Sequence, residues 1–524
     1  MTAIAEHLPT APSVITTHRT PRARRLAGAV WTLPLVAGLV ALLVRAVGLR
    51  TSNDVFIDEL LYARFADQVA HGQWPGADGV PFFLHPIGSF ALDGLVVRVL
   101  GLSGSTIDLV LQLRWVNAVL GALTVVLVAV LVRRLAGPRI AVLAAVVLAF
   151  DPFVLRSNGR VMIETPAVLW LLAGWLVLLI ARERSLQRPA VRWELAAGLL
   201  LGMALVTKDM TVVPGLGAVA LAVMWRRTLP VWTAVRVGAA ALVPYLISMA
   251  VVASLGLLPE WAEQKRLGAE RMLGMQQTTG FNAAGGGSLG SRLVDELGRF
   301  GTSYVLLAVC VPAGLVALFS VVAARRFIGL IAVCTGALGV YAVGFGAAEE
   351  QFGYYVVVTA VLAVAVALPE LVARRQGLRR SVAVLVVLFT VSSVVLGVQS
   401  RFVSDDSFRE VEAWLGDELP VGAEFAVTGD AAELAFPEYA VAPSLMDLRD
   451  DGVDYVLTNG KPVTEGYGYA APELLDWLAA HAMPVLRVEG PSNGETVVWQ
   501  LDRDAVDDAV DSGTTIPAVR TAAR

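Results

Sequence analysis

The sequence predicts a polytopic α-helical membrane protein of about 11–13 transmembrane helices, with a small C-terminal α/β domain. Three observations predict this. Of 524 residues, 56% are hydrophobic and only 16% charged, with mean hydropathy +0.66; soluble domains carry about 25% charged residues. The apolar excess recurs from residue 28 to residue 399 instead of collecting in one anchor. After residue 400, short strand-like and helix-like segments alternate. An ordinary soluble enzyme, a disordered chain and a disulfide scaffold are thereby excluded. The net charge of −4 gives no global field, so no nucleic-acid partner is expected.

Each element follows from local pattern. Arg19, Arg22, Arg24 and Arg25 precede an apolar run with no small-residue cleavage site, which predicts a signal anchor retained as the first helix after a basic tail, 1–27. The apolar runs are 28–49, 86–101, 113–132, 140–156, 163–181, 195–207, 211–225, 231–257, 301–324, 327–347, 354–373 and 381–399. Arginine clusters at 19–25, 133–139, 182–192, 226–227, 325–326 and 374–380 belong on the cytoplasmic side. Eleven crossings satisfy all six clusters, with 86–101 dipping or lying at the outer interface because Asp93 and Arg98 interrupt it. The outer face then receives 50–112, 156–162, Lys208–Asp209, the loop 258–300, Glu349 to Gln351 and everything after 400. Polar groups converge on one face without an internal repeat. That favours an outward-facing site over a transporter's midplane site.

The transmembrane domain is thus 28–399, the outer α/β domain 400–502, and 503–524 a disordered tail. Within the outer domain, 407–419 and 471–481 read as helices, and 424–430, 453–460, 484–490 and 496–502 as strands. Cys310 and Cys334 lie in apolar runs and read as packing residues. No set of His, Cys and carboxylates has metal-ligand spacing. No cofactor is predicted; a divalent cation bridging Asp58 or Glu59 to a phosphate is the one metal role left open.

The polar residues that stand out are few. The first outer loop reads Asp58-Glu59-Leu60-Leu61-Tyr62-Ala63, then Gly72-Gln73-Trp74-Pro75, then His85-Pro86. Leu61, Phe65 and Val69 share a face, so Asp58 and Glu59 fall at a helix start, where acids also serve as caps. A second group holds Arg160 and Glu164 between two crossings. The third is Gly202-Met203-Ala204-Leu205-Val206-Thr207-Lys208. Lys208 sits between two short runs, below the outer membrane surface, where an ammonium snorkels, pairs with Asp209 or meets an anionic ligand.

In order and spacing, these motifs resemble the GT-C superfamily of membrane glycosyltransferases, most closely the family of dolichyl-phosphate-mannose protein mannosyltransferases and the lipid A aminoarabinose transferase. The resemblance covers about residues 28–210. It implies a GT-C-like bundle with a cavity under interfacial helices, and transfer of a sugar from a polyprenyl-phosphate donor to a glycan, lipid or protein acceptor on the extracytoplasmic face; the Arg-over-Lys, Ala/Val/Gly-rich usage points to a bacterial plasma membrane. Carried over, Asp58 is the general base and Glu59 supports the site. Lys208 lies near the donor phosphate. Glu164 stands where the family usually has Asp. The chemistry agrees: displacement at an anomeric carbon needs a carboxylate for the acceptor's proton and cations around the leaving phosphate. Tyr62, His85 and Arg160 complete the candidate donor-binding set.

Two further groups read either way. Lys265, Arg266 and Arg271, followed by Gly285 to Gly287, form a lid over the site or a solvated helix and linker. Glu349, Glu350, Gln351, Tyr354 and Tyr355 form part of the site or an interfacial belt. The rival functions are a transporter or flippase of a lipid-linked substrate and a non-catalytic scaffold.

Overall fold

The computed structural model describes residues 21–77, 79–185, 190–273, 275, 289–344, 350–374, 377, 379–465 and 468–519. Through residue 158 its elements are α1 (Pro21–Ala46), α2 (Ile57–Ala70), a two-residue hairpin β1 (Gly76–Ala77) and β2 (Val80–Pro81), α3 (Gly88–Leu100), α4 (Thr106–Ala136), α5 (Pro138–Phe150) and α6 (Pro152–Asn158). Then come α7 (Glu164–Ser185), α8 (Val191–Thr207), α9 (Ala218–Met224), α10 (Val231–Ser254), α11 (Leu258–Met272), α12 (Leu289–Asp295), α13 (Leu297–Leu318), α14 (Ala323–Gly344), α15 (Glu350–Arg374) and α16 (Arg379–Arg401). Among these, α4, α7, α10 and α13 to α16 are seven helices long and apolar enough to cross a membrane. The pair α5 and α6, bent by 61° at Asp151 and Pro152, makes an eighth. Of the other three runs expected to cross, α1 has its apolar part at Trp31–Ala46, α8 has 17 residues, and in the stretch 209–224 a 3-10 turn and a π turn precede α9.

Packing separates an inner layer from a lipid-facing one. Trp175 of α7 and Tyr354 and Val357 of α15 are fully buried. By contrast, α16 exposes Leu385, Leu388, Val391 and Val395, and α10 exposes Leu246 and Ile247, as suits a hydrocarbon solvent. Gly198 and Gly202 of α8 allow α10 to approach. A Cβ on either would collide with the carbonyl of Val237 or Ala241, the small-residue contact common between membrane helices. Helix α3 lies against α2 instead of joining the bundle, burying Phe90 and Val97 and exposing Leu95, Val99 and Leu100. With 13 residues it is too short to cross a membrane.

The bundle has two chemically different ends. At one, Arg134 pairs with Glu183, Arg325 with Glu370, and Arg236 with the buried Glu194. The other gathers the loop after α1, the turn before α7, the end of α8, α11 and the start of α15.

The C-terminal domain sits on that second end. It comprises α17 (Ser407–Asp417), β3 (Phe425–Val427), α18 (Asp430–Ala435), β4 (Ala440–Val441), α19 (Leu445–Asp450), β5 (Tyr455–Asn459), α20 (Gly460–Thr464), α21 (Pro472–His481), β6 (Met483–Gly490), β7 (Gly494–Gln500) and α22 (Arg503–Asp511). The sheet order is β4-β3-β5-β7-β6, with β3 parallel to β4 and β5, and β7 antiparallel to β5 and β6. One apolar cluster runs from Leu60 and Phe65 of α2 and Ile107 and Val110 of α4 into Phe408, Val411 and Phe436. The disordered tail expected from residue 503 is corrected here. Asp502 caps α22, Val506 is buried in the domain, and Val519 N donates to Tyr469 O. Its high charge hides an amphipathic turn that packs Val506, Ala509 and Val510 against the domain. Residues 520–524 lie outside the described residues.

Candidate active site

The acidic pair starts α2, and its two members face different surroundings. Glu59 is fully buried, and Arg114 of α4 holds it with Nε to Oε1 at 3.0 Å and Nη2 to Oε2 at 2.8 Å. The Val161 amide donates to Oε1 at 2.7 Å and the Phe56 amide to Oε2 at 3.2 Å. The last bond caps the helix, so capping and site support are one arrangement. The same guanidinium donates to the carbonyls of Leu49, Asn53 and Asp54. A planar donor fork suits this job of closing a loop around its charge.

Asp58 is only partly buried and faces the bundle. Gln351, at the start of α15, donates from Nε2 to Asp58 Oδ2 at 2.7 Å and accepts at Oε1 from Lys208 Nζ at 3.0 Å. Lys208 Nζ lies 2.9 Å from Glu164 Oε1. That contact is an ion pair without hydrogen-bond geometry, since neither Glu164 oxygen accepts a hydrogen bond among the described residues. Lys208 and Glu164 are 6% and 1% exposed, which forces the two charges to rely on each other. Four segments distant in sequence thus supply one line of polar groups: Asp58, Gln351, Lys208, Glu164. Gly88 matters here, because a Cβ on it would stand 2.6 Å from Val206 O, so α3 can seat against the end of α8.

The partner expected for Lys208 was Asp209 or a ligand; Asp209 is instead paired with Lys265 of α11. Lys208 is in extended backbone, φ −151° and ψ 119°, and neighbours on extended backbone point to opposite sides. Lys265 also donates to Leu84 O at 3.2 Å, and Gln264 grips the loop through Pro81 O and the Phe83 amide. One face of α11 is therefore fastened over the first loop. Arg266 lies on its solvated side with Glu263 and Glu270. Gly285 to Gly287 and Glu349 lie outside the described residues, as do the side chains of Arg271 and Glu350.

The remaining candidates divide. Tyr62 is buried in an aromatic cluster with His85 and Phe90, at ring distances of 6.1 Å and 5.4 Å; His85 is half-buried at its rim. Arg160 faces the C-terminal domain: Nη2 donates to Ser492 Oγ at 3.1 Å, and Nε lies 4.0 Å from Glu59 Oε2. Asn117 holds its carbonyl. Tyr354 accepts from Asn158 at 2.9 Å, and Asn158 in turn accepts from the buried Arg45. Tyr354 and Tyr355 are both buried, not belt residues.

Sequence reasoning passed over Arg45, Arg114 and Asp54. Asp54 accepts from Val55 N, Ser407 N, Ser407 Oγ, Phe408 N and Asn493 Nδ2. Burial pushes its carboxyl above the ordinary range, opposed by hydrogen bonds from Ser407 and Asn493. It is the joint between the first loop and the C-terminal domain. No cluster of three or more His, Cys, Asp or Glu able to hold a metal occurs among the described residues.

This architecture is the GT-C membrane-glycosyltransferase fold. ArnT from Cupriavidus metallidurans in the apo state matches with TM-score 0.58 and 15% identity over 92% of this chain and 99% of that one. ArnT from the same organism bound to undecaprenyl phosphate gives TM-score 0.52 and 16% identity, over 89% and 97%. The archaeal oligosaccharyltransferase AglB from Archaeoglobus fulgidus, in complex with an inhibitory peptide and a dolichol-phosphate, gives TM-score 0.53 and 13% identity, over 90% and 74%. The model of the dolichyl-phosphate-mannose-protein mannosyltransferase family matches residues 35–261, a stretch that contains Asp58, Glu59, Tyr62, His85, Arg160, Glu164 and Lys208. The resemblance read from the motifs is borne out on both counts. No curated protein matches the chain by sequence.

Proposed function

We propose that the protein transfers a sugar from a polyprenyl-phosphate donor to a glycan, lipid or protein acceptor on the extracytoplasmic side of a bacterial plasma membrane. The observation that carries this reading is the line Asp58–Gln351–Lys208–Glu164, which sets a partly exposed carboxylate beside a buried, paired ammonium. The undecaprenyl phosphate and dolichol-phosphate bound by the two fold neighbours support a lipid-linked donor.

In this mechanism Asp58 takes the acceptor's hydroxyl proton as that oxygen bonds to the anomeric carbon. The bond from that carbon to the phosphate oxygen breaks, and polyprenyl phosphate leaves. A single displacement inverts the anomeric configuration. Lys208 neutralises the charge gathering on the leaving phosphate, and Glu164 keeps the ammonium aimed. Glu59 takes no part in proton transfer. With Arg114 it fixes the start of α2, so that Asp58 is held to the tolerance that near-attack geometry demands.

The test uses purified full-length protein with radiolabelled polyprenyl-phosphate sugar and a membrane extract as acceptor. Wild type transfers label; Asp58→Asn and Lys208→Ala do not. Undiminished transfer by Asp58→Asn would remove the base assignment. A wild type that moves the lipid across vesicles without transferring sugar would favour a flippase.

A further inference from the structure

The end of the bundle away from Asp58 carries a turn whose backbone and side chains are at odds. Between α9 and α10 the chain reverses over Trp225, Arg226, Arg227 and Thr228, closed by Thr228 N donating to Trp225 O at 3.0 Å. Arg226 and Arg227 have φ +48° and +46°, and no other residue except glycine has a positive φ among the described residues. A turn with both central residues in that region is dominated by Gly, Asn and Asp, because a Cβ there crowds the backbone. Two arginines thus stand where the turn alone would select Asn and Gly. Strain of this kind persists where the surroundings hold it, and it collects at functional sites.

The surroundings do hold it. Thr228 Oγ1 donates to Trp225 O at 2.7 Å and accepts from Arg326 Nε at 3.4 Å. Arg326 also donates to the carbonyls of Ser320 and Val321, and Trp225 Nε1 donates to Leu318 O at 3.3 Å. The reversal before α10 is thereby stitched to the one between α13 and α14. Arg226 and Arg227 stay exposed, with the Arg226 guanidinium 5.7 Å from the centre of the Phe319 ring.

Charge around this turn is unbalanced. The acids at that end are Glu183, Glu194 and Glu370, and Arg134, Arg236 and Arg325 hold them. Arg226, Arg227 and Arg326 form no ion pair among the described residues. Beside them lies an apolar rim, in which Met224 is 80% exposed, Phe319 52% and Val321 91%. Adjacent guanidinium groups suit a phosphate, and the rim suits hydrocarbon attached to it. A free anion would leave the rim bare. The proposed orientation puts this end in the cytoplasmic leaflet, where anionic lipids attract basic groups.

We propose that the Arg226–Arg227 turn is a discrete site for the phosphodiester headgroup of an anionic glycerophospholipid, whose acyl chains lie along Met224 and Val321. The site is independent of the reading given to Asp58.

The test uses the full chain in a neutral detergent, titrated with phosphatidylglycerol, with phosphatidylcholine of the same chains, and with glycerol phosphate. Bound lipid is read by native mass spectrometry and stability by melting temperature. Wild type takes up phosphatidylglycerol ahead of phosphatidylcholine, melts higher with it, and ignores glycerol phosphate. The double variant Arg226→Asn with Arg227→Gly supplies the residues the turn prefers, so in phosphatidylcholine it melts no lower than wild type. Its affinity for phosphatidylglycerol falls roughly twenty- to thirtyfold, as the loss of two basic contacts requires. Arg139→Gln with Arg192→Gln removes two exposed charges elsewhere at the same end and keeps the wild-type affinity. An equal loss in that control would mean a diffuse field and would overturn the site. So would unchanged phosphatidylglycerol binding by the first variant, a wild type without lipid preference, or displacement of the lipid by glycerol phosphate at equal concentration. A first variant that melts lower in phosphatidylcholine would assign the arginines to the fold, and the proposal would fall.

Discussion

Replacing Arg114 by Ala tests how the first loop is held. The side chain makes two hydrogen bonds to Glu59, at 3.0 Å and 2.8 Å, and three to the carbonyls of Leu49, Asn53 and Asp54, all in fully or nearly fully buried surroundings. Removing it leaves a buried carboxylate with only the amides of Val161 and Phe56 as close donors, and Arg160 at 4.0 Å. Breaking a buried pair from one side costs about 3–5 kcal/mol. The lost carbonyl bonds add to this only where water fails to replace them. Arg114→Ala should therefore destabilise by about 3–5 kcal/mol, read as resistance to thermal inactivation or to SDS in nanodiscs. The double variant with Glu59→Gln should cost less than the sum of the singles by more than about 1 kcal/mol, since each single strands the other's partner. Arg114→Lys should fall between, because an ammonium cannot span both oxygens and three carbonyls. A cost below about 1 kcal/mol for Arg114→Ala, or strict additivity, would refute the clamp.

Other consequences are as direct. Lys208→Ala should weaken donor binding more than acceptor binding, and Glu164→Gln should mimic it in part; a donor affinity unchanged in both would separate this pair from the phosphate. Asp93 of α3 is buried beside Ser89, and burial pushes its carboxyl up to about 7. The folded protein thus holds that proton more tightly than the unfolded chain. Its stability is full below the ordinary carboxylate range and is lost as pH rises through about 7. Asp93→Asn should flatten that fall in a melting-temperature series, and an identical slope would contradict it. Gly121→Val should loosen the bundle, since even a Cβ there would strike Asn158 and crowd Arg45, 2.8 Å from its Nε; a wild-type melting temperature would show that the pair yields freely. Cysteine at the exposed Gln73 should react with an impermeant reagent outside cells and one at Arg139 should not, while the reverse would invert the proposed orientation.

Much of this was legible beforehand because charge is scarce. Helix runs, basic clusters and the acidic pair each follow from pattern. Asp58, Glu164 and Lys208 stood out as charges at the edges of apolar runs, and the structure brings them together. Gln351 was visible only as one of five polar or aromatic residues in a turn, since a neutral amide leaves no mark in hydropathy. Arg114 and Arg45 lie inside or at the end of apolar runs and look like interruptions. Their role depends on partners 55 and 113 positions away, Glu59 and Asn158. Asp54 reads as loop polarity beside Asn53; only the return of Ser407 and Asn493 from the end of the chain turns it into a joint. In α22, four carboxylates masked three inward-facing apolar residues. Pattern finds groups that break a local rule, and it misses those whose meaning is a distant partner.

That joint bears on how such a protein can be rebuilt. Five donors converge on Asp54, and four of them come from residues after 406. The C-terminal domain is therefore no detachable module. Exchanging it between relatives would import new contacts for the first loop as well as a new surface, and deleting it would strand a buried carboxylate near Asp58. Chimeras should succeed only when Ser407 and Asn493, or substitutes for both, travel together with the loop at 54.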